Sequence, residues 1–463
     1  MKQSLILLIS ILSVYLLPAQ DVTGQWHGVL KVQGIQLRLD FDVNKTEDGF
    51  TSTMDSPDQG ATGIPVAKTT FKDSIITFEI PSLTIIYVGE LKGKLVIGTF
   101  KQAGQEFPMD LSRNTIEKQL INKPQEPKPP YPYNIEEVCF ENTEANIILS
   151  GTLTIPKNTT DSPVVILISG SGPQNRDEEL FGHKPFLVIA DYLTKNGIAV
   201  LRYDDRGVAK SSGDFNSATT ADLATDVESA IEYLKTRKDI NKNNIGLIGH
   251  SEGGMIAPMI ASKSKDVSFI VLLAGPGISG YDIVMLQTEL INKANGAHAS
   301  DLQKELDFLK RSLDIVVKDG SKEEIESELS DFIEKQMNDN PETLAKQMKA
   351  KDFDVFIKTF TSSWMRYFLK FNPKSILENV KCPVFAINGK KDLQVPSNEN
   401  LTAIKSALTD GGNKNVTIKE YPNLNHLFQE SETGSPTEYG KIEQTFSPVV
   451  LVDIMNWIVN QMN

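Results

Sequence analysis

Hydrophobic and polar positions alternate along the first quarter of the chain, after a leading apolar run. The stretch "GIQLRLDFDV" places every second residue from Ile35 to Val43 on one apolar face. The same period of two recurs in "IITFEI" and "KLVIGTF", with turn residues between these stretches. This period is typical of half-buried antiparallel strands. The pattern therefore predicts a small antiparallel all-β domain, a barrel or a sandwich, over residues 21–115.

The pattern changes after a Pro-rich stretch, "NKPQEPKPPYPYN". This composition predicts an extended, semi-rigid linker over residues 116–134. Beyond it, apolar runs such as "VVILISG", "IAVLRYDD" and "SFIVLLAG" alternate with stretches of helical periodicity. Near-continuous apolar runs are typical of parallel strands that are covered on both faces. Residues 135–463 are therefore predicted to form an α/β domain with a doubly wound, mostly parallel sheet.

One insertion interrupts this alternation. Residues 278–380 are rich in Lys, Glu and Leu and carry helical rather than strand patterns. The insertion follows a strand at the edge where α/β sheets bind ligands, so it is predicted to be a helical cap over the site. Trp364 and Phe368 are candidates for the substrate pocket, with packing inside the cap as the alternative. His183 is a further candidate to line the pocket.

The first 20 residues have the form of a secretory signal peptide. They combine one Lys, an apolar run from Leu5 to Leu17 and a small-residue exit, "LPAQ". An uncleaved membrane anchor is the alternative, but the run is short for a span. We therefore expect cleavage near Ala19 or Gln20 and a periplasmic or secreted protein without a membrane span.

Composition narrows the class of protein without identifying a substrate. With 40% hydrophobic and 23% charged residues, the 463-residue chain is typical of a soluble protein of several domains. Its formal charge of −13 argues against nucleic acid or an anionic membrane as a partner. Cys139 and Cys382 are predicted to be buried free thiols, with a disulfide between them as the alternative. The cysteines and histidines show no zinc-ligand spacing, so we expect no metal and no organic cofactor.

The stretch "NIGLIGHSEGGM" carries the pattern Gly-x-Ser-x-Gly between an apolar run and a helical stretch. A serine at such a strand–turn–helix junction sits on a strained backbone that exposes its oxygen. Ser251 is therefore the candidate nucleophile. The backbone N–H of Glu252, at the start of the following helix, is a candidate oxyanion donor.

A serine hydroxyl needs a histidine to accept its proton and a carboxylate to orient that histidine. His426, in a loop after the last strand, is the candidate base. Asp392, in the turn after "VFAINGKK", is the candidate acid, and Glu399 is the weaker alternative. The second oxyanion donor is expected in the loop "SGSGP", from the N–H of Ser171 or, as second choice, Gly172.

These motifs, "GHSEGG", "YDDRGVAKSSG", "GKKDLQVP" and "NLNH" in that order, resemble the α/β-hydrolase superfamily from Ile135 onward. "ISGSGPQNRDE" followed by "GHSEGG" resembles, more narrowly, bacterial serine esterases of the serine-aminopeptidase-like and bile-acid-CoA-hydrolase-like groups. The resemblance implies Ser251 as nucleophile, Asp392 as acid, His426 as base, and activity on short-chain or aromatic esters. The chain has "SGSGP" where proline-releasing peptidases usually carry HGGPG, which favours an esterase.

The sequence therefore predicts a serine carboxylesterase that acts on a small-molecule ester through an acyl-enzyme. A serine aminopeptidase or amide hydrolase with the same triad is the alternative within enzymes. From another class, the β domain could be an envelope- or carbohydrate-binding module with an accessory hydrolase fold.

Overall fold

The computed structural model describes residues 21–32, 35–57, 61–83, 85–102, 105–116, 123–339 and 350–462. The chain forms two compact units, with the main boundary between Gln119 and Leu120. The predicted signal peptide lies outside the described residues. Within the described ranges, no helix is both long enough and apolar enough to cross a bilayer.

The first unit is an antiparallel β barrel. Its strands are β1 (Gly24–Val32), β2 (Ile35–Thr46), β3 (Gly49–Ser56), β4 (Ala61–Lys72), β5 (Ile75–Ile80), β6 (Ile85–Lys92), β7 (Leu95–Gln102), β8 (Gln105–Pro108) and β9 (Leu111–Ser112). Their order is β6-β5-β4-β3-β2-β1-β9-β7-β8, and a further β6–β7 pairing closes the sheet. The predicted antiparallel all-β domain is confirmed.

The period of two along these strands builds the barrel core. In β2, Leu39, Phe41 and Val43 are all buried. The ring of Phe41 stacks on that of Phe78 in β5, with the ring centroids 4.5 Å apart. Trp26 in β1 joins the same cluster of buried side chains. The alternating pattern therefore packs one apolar face of each strand inward.

The second unit contains an eight-stranded sheet. Its strands are β10 (Asn134–Asn142), β11 (Ile147–Ile155), β12 (Ser162–Ile168), β13 (Ala199–Tyr203), β14 (Ile240–His250), β15 (Phe269–Leu273), β16 (Val384–Gly389) and β17 (Val416–Tyr421). The order is β10-β11-β13-β12-β14-β15-β16-β17. The leading hairpin β10–β11 is antiparallel, and the pairings from β13 to β17 are parallel. The predicted doubly wound, mostly parallel sheet is confirmed.

Helices cover both faces of this sheet and form the cap. They are α1 (Pro185–Lys195), α2 (Thr220–Thr236), α3 (Gly253–Ala261), α4 (Gly280–Ala294), α5 (Ala299–Val316), α6 (Lys322–Asp339), α7 (Ala350–Phe360), α8 (Ser363–Lys370), α9 (Lys374–Leu377), α10 (Ser397–Asp410) and α11 (Pro448–Met462). Helices α2, α3 and α10 pack on one face of the sheet. Helices α1 and α11 pack on the other face. Helices α4 to α9 lie between β15 and β16, where the sequence predicts the cap.

The Pro-rich segment predicted as a linker is part of the second unit from Lys123 onward and is hydrogen-bonded to the rest of it. The Gln125 side-chain amide donates to the carbonyl of Phe446 at 2.6 Å. The Tyr133 hydroxyl donates to Asp191 in α1 at 2.9 Å. This half of the segment is therefore fixed to the sheet domain by side-chain hydrogen bonds.

Both cysteines are free thiols, but one prediction about them is wrong. Cys382 is half-buried, whereas Cys139 is exposed. In β10 the buried positions are Val138 and Phe140. The period of two therefore turns Cys139 toward solvent.

The junction of β14 and α3 brings two backbones unusually close. A Cβ built on Gly249 would lie 2.0 Å from the carbonyl oxygen of Gly253. A Cβ on Gly253 would lie 2.2 Å from the carbonyl oxygen of Ile168, at the end of β12. Because backbone atoms cannot move aside as a flexible side chain can, only glycine fits at these two positions.

We predict that Gly249→Ala lowers the free energy of unfolding by roughly 3 kcal/mol or more, because its methyl group overlaps backbone atoms. Gly412→Ala is the matched control: its φ is 81°, but no atom lies within 4 Å of the added Cβ. The control should cost only about 1–2 kcal/mol of backbone strain. Urea unfolding followed by circular dichroism compares the two, and equal stabilities would contradict the close approach.

Candidate active site

Ser251 occupies the turn between β14 and α3. Its φ is 50°, in the left-handed region that non-glycine residues seldom adopt. Its backbone N–H donates to the carbonyl of Leu273 in the neighbouring strand at 2.9 Å. Ser251 is half-buried, whereas His250 and Glu252 on either side of it are buried. This is the strained strand–turn–helix arrangement that the Gly-x-Ser-x-Gly pattern predicts.

Asp392 and His426 meet beyond the ends of β16 and β17. The His426 Nδ1 lies 2.7 Å from the Asp392 Oδ2. The other carboxylate oxygen accepts the backbone N–H groups of Gln394 and Val395 at 2.8 and 2.9 Å. Both members of the pair are buried. Glu399, the alternative acid, is exposed in the first turn of α10.

His426 also lies close to the elbow, the turn between β14 and α3 that carries Ser251. Its ring centroid is 4.9 Å from that of His250, the residue that precedes Ser251. Because Asp392 occupies the Nδ1 side of the ring, Nε2 is the nitrogen available for proton transfer. The arrangement can therefore supply a general base oriented by a carboxylate.

The loop after β12 lies directly against Ser251. A Cβ built on Gly170 would lie 3.2 Å from the Cβ of Ser251. The Gly170 N–H donates to the Glu178 carboxylate at 2.7 Å. Among the described residues, the N–H groups of Ser171 and Glu252 have no protein acceptor. The N–H of Gly172, the second choice in the same loop, has no acceptor among them either, so all three remain candidates to stabilise a developing negative charge.

Asp205 fixes both ends of this loop, a role that sequence reasoning missed. One carboxylate oxygen accepts the Ser169 hydroxyl at 2.7 Å, and the other accepts the Gln174 N–H at 2.9 Å. Burial raises the pKa of Asp205 to about 8. The only sequence signal was its place in "YDDRG", directly after a strand.

The Glu252 side chain connects the elbow to the cap. Its Oε1 accepts the Thr220 hydroxyl at 2.6 Å and the Trp364 Nε1–H at 2.8 Å. Its Oε2 is buried and has no hydrogen-bond partner in the part of the chain that the structure describes. Burial raises the pKa of this carboxyl, while the bonds from Thr220 and Trp364 oppose the shift. Trp364 stacks on Phe368 with the ring centroids 5.4 Å apart, so Phe368 packs on the residue that contacts Glu252.

His183 is hydrogen-bonded to a different part of the domain. Its Nδ1 is 3.1 Å from the Thr445 hydroxyl, and its Nε2 is 3.0 Å from the Tyr439 carbonyl. The Lys123 ammonium is 2.6 Å from the same Nε2. Burial, followed by the charge of Lys123, lowers the pKa of His183 to about 4. The predicted pocket residue thus contacts the C-terminal segment and the Pro-rich segment.

The described residues contain no group of three or more His, Cys, Asp or Glu side chains that could hold a metal ion. The site supplies a partly exposed serine, a carboxylate–histidine pair and backbone N–H groups that have no protein acceptor among the described residues.

A doubly wound sheet with a serine elbow and a carboxylate–histidine pair at its carboxyl edge defines the class of α/β hydrolases. The family model described as serine aminopeptidase, S33, matches residues 184–432, more than half of the chain. The protein belongs to this family. The predictions of an α/β hydrolase and of a hydrolytic enzyme are thereby confirmed.

Two relatives show how the similarity is distributed. "Esterase EstD" of Thermotoga maritima is 27% identical over 332 residues, covering 71% of this chain and 70% of the relative. An "Acyl transferase" of Shewanella hanedai is 28% identical over 267 residues, covering 55% of this chain and 74% of the relative.

Two solved structures are also similar to this chain. The Pyrococcus furiosus esterase Pf2001 aligns with a TM-score of 0.43 and 17% identity, covering 72% of this chain and 94% of that chain. The Est1E protein of Butyrivibrio proteoclasticus, solved with ferulic acid, aligns with a TM-score of 0.41 and 16% identity, covering 70% and 99%.

We predict that Glu252→Gln stabilises the protein more at neutral than at acidic pH. The glutamine oxygen can still accept from Thr220 and Trp364, but it has no charge to bury. The wild-type carboxyl has a raised folded-state pKa, so the wild type loses stability relative to the variant as the pH rises above the unfolded-state pKa. The advantage of the variant should grow as the pH rises from about 4.5, the usual glutamate value, to neutral pH.

Urea unfolding at the two pH values measures this difference. Glu323→Gln removes a carboxylate from an exposed position in α6 and serves as the control, with little change expected. A pH-independent difference between Glu252→Gln and the wild type would contradict the buried carboxyl.

Proposed function

We propose that the protein is a serine carboxylesterase that forms an acyl-enzyme on Ser251. His426 takes the proton of the Ser251 hydroxyl as its oxygen bonds to the ester carbonyl carbon. The carbonyl oxygen becomes an oxyanion that accepts the N–H groups of Ser171 and Glu252. His426 then passes the proton to the leaving alcohol as the carbon–oxygen bond breaks.

Water completes the cycle by the same route. His426 takes a proton from the water as its oxygen attacks the acyl carbon, and the oxyanion forms again on the same two donors. Collapse breaks the bond to Ser251, whose oxygen recovers the proton from His426, and the acid leaves. Asp392 keeps the imidazole in one tautomer and stabilises the imidazolium that exists between the two transfers.

One observation carries this proposal: the 2.7 Å Asp392–His426 bond places His426 against His250, next to Ser251, and the Ser171 and Glu252 N–H groups have no acceptor in the described protein. A base, its orienting carboxylate and two oxyanion donors are what nucleophilic catalysis by serine requires. The named relative Esterase EstD supports an ester as the bond that is cleaved.

The buried acids near Ser251 favour an ester over a peptide with a free amino terminus. An aminopeptidase needs a carboxylate to hold the substrate ammonium. The Glu178 carboxylate already accepts from Gly170 and His250. One oxygen of Glu252 is engaged by Thr220 and Trp364, and burial disfavours its charged form. Glu178 and the Oε1 of Glu252 are therefore committed to protein partners, whereas Glu179, the third acid that could hold an ammonium, is exposed.

We also propose that the enzyme is exported, on the basis of its first 20 residues: one Lys, an apolar run and a small-residue exit. The substrate would then be a small ester in the periplasm or outside the cell. The proposed mechanism uses no residue of the β barrel.

We expect a fluorophosphonate probe to label the wild type and to leave Ser251→Ala unlabelled, because in the proposed mechanism His426 activates the Ser251 hydroxyl. Asp392→Asn should lower kcat by about ten-thousandfold, as expected when the base is left in the wrong tautomer. Ser229→Ala, which removes a hydroxyl from α2, is the control and should label normally. Labelling of folded Ser251→Ala at the wild-type rate would disprove the nucleophile, and a folded wild type that stays unlabelled would favour the binding-module alternative.

We expect p-nitrophenyl esters to be hydrolysed with a kcat/KM at least about tenfold above that of amino-acid p-nitroanilides, a difference of about 1.4 kcal/mol in transition-state stabilisation. The physical reason is that the buried Glu178 and Glu252 already accept protein donors and that burial disfavours the charged form of Glu252. Ser251→Ala should lose both activities. Faster turnover of the anilides would establish the aminopeptidase alternative instead.

A further inference from the structure

Glu178 and His250 form a second histidine–carboxylate pair next to the proposed triad. The Glu178 Oε1 is 2.8 Å from the His250 Nδ1. Only 1% of Glu178 and 5% of His250 is exposed, so water cannot screen the pair. Glu178 holds its place with a φ of 49°, in the left-handed region. The chemistry proposed for Ser251 does not use this pair directly.

The contacts of His250 indicate that it is an imidazolium. Its Nδ1 faces the Glu178 carboxylate, and its Nε2 is 3.0 Å from the carbonyl oxygen of His426. Both neighbours are acceptors, and a neutral imidazole has only one N–H to donate. Burial lowers the pKa of His250, but the charge and hydrogen bond of Glu178 outweigh it and leave the pKa raised. Two N–H groups then satisfy both acceptors.

These bonds join the three segments that carry the proposed catalytic groups. The same Glu178 oxygen accepts the N–H of Gly170, which precedes the oxyanion donor Ser171. His250 directly precedes Ser251. The His250 Nε2 bond ends on the backbone of His426 itself. Among the described residues, the charged and titratable groups that face His250 are Glu178, His426 and Asp392.

We propose that Glu178 and His250 form a positioning pair that fixes the oxyanion loop and the His426 loop relative to Ser251. The proposal rests on the function proposed above, because it takes Ser251, His426 and Ser171 as the groups that are positioned. The pair touches no reacting atom, so its effect is expected in the geometry of the transition state rather than in substrate binding.

Glu178→Gln tests this with little change of shape. The amide oxygen can still accept N–H groups, but the negative charge that keeps His250 doubly protonated is gone. A neutral His250 donates to only one neighbour. If that neighbour is His426, the new amide must turn an N–H toward Nδ1, and its oxygen then leaves the Gly170 N–H, so one link is lost in either case. A displacement of about 1 Å in a catalytic group costs about a hundredfold in rate, so we expect kcat to fall by about ten- to a hundredfold while KM changes less than about threefold.

Asp226→Asn is the matched control. Asp226 forms a buried ion pair with Arg206 at 2.8 Å in the same domain, away from the proposed site. This variant also neutralises a buried carboxylate, so it reports the loss of stability alone. It should unfold at lower urea concentration and keep the wild-type kcat. Glu178→Gln should have a lower kcat than Asp226→Asn even when urea unfolding gives the two variants the same free energy of unfolding.

The pH profile of kcat provides a readout that a purely structural role would not move. In the wild type the Glu178 charge keeps His250 protonated to higher pH. In Glu178→Gln burial acts alone, so His250 should lose its proton at lower pH. The alkaline decline of kcat should therefore begin at lower pH in Glu178→Gln than in the wild type, and Asp226→Asn should follow the wild-type profile.

The outcomes separate this proposal from the proposed function. If Ser251→Ala is inactive but Glu178→Gln keeps the wild-type kcat and pH profile, the positioning pair is disproved and the serine mechanism stands. If Ser251→Ala keeps its activity, the proposed function fails first. A fall in kcat that Asp226→Asn matches at equal stability would also overturn the positioning role.

Discussion

Parallel pairing of β12, β14, β15, β16 and β17 is the constraint on which the site depends. Parallel strands end at the same edge, so the segments after β12, β14, β16 and β17 meet there although they are far apart in sequence. The register is tight at the elbow: Gly249 pairs with Ile168 on one side and with Leu272 on the other. The glycines at the β14–α3 turn let the helix begin against the end of β12. The pairing and packing of the backbone therefore determine where these loops lie, independently of their side-chain hydrogen bonds.

Buried carboxyls then fix those loops, and their partners decide their charge. Glu178 and Asp392 each face a histidine, so each has a positive or polarisable partner. Asp205 and Glu252 have hydroxyl, amide or indole donors instead, and burial raises the pKa of both. An unpaired charge in such a site would cost several kcal/mol. The elbow thus concentrates four acids while limiting the number that must be ionised.

The sequence predicts the fold well because periodicity reports burial directly. The alternation in β2 suffices for an antiparallel β domain, but not to choose a barrel over a sandwich. The apolar runs of β12 and β15 suffice for the doubly wound sheet. Ser251, His426 and Asp392 follow from motif order, and the structure brings the latter two into contact. The Glu178–His250 and Glu252–Trp364 bonds could not be predicted, since their partners are 72 and 112 residues apart. The partners of His183 could not be predicted either, because Thr445 and Tyr439 lie more than 250 residues further along the chain.

Glu252 has two distinct relations to the site, and they belong to different atoms. Its backbone N–H has no protein acceptor among the described residues and lies at the start of α3, where a helix favours negative charge. Its carboxyl points away to Thr220 and to Trp364 of the cap. The cap has its own hydrophobic core, and a hydrogen bond of this kind contributes only about 1 kcal/mol. A side-chain change at Glu252 therefore alters the contact with the cap while the backbone donor stays in place, so the two roles can be separated at one position.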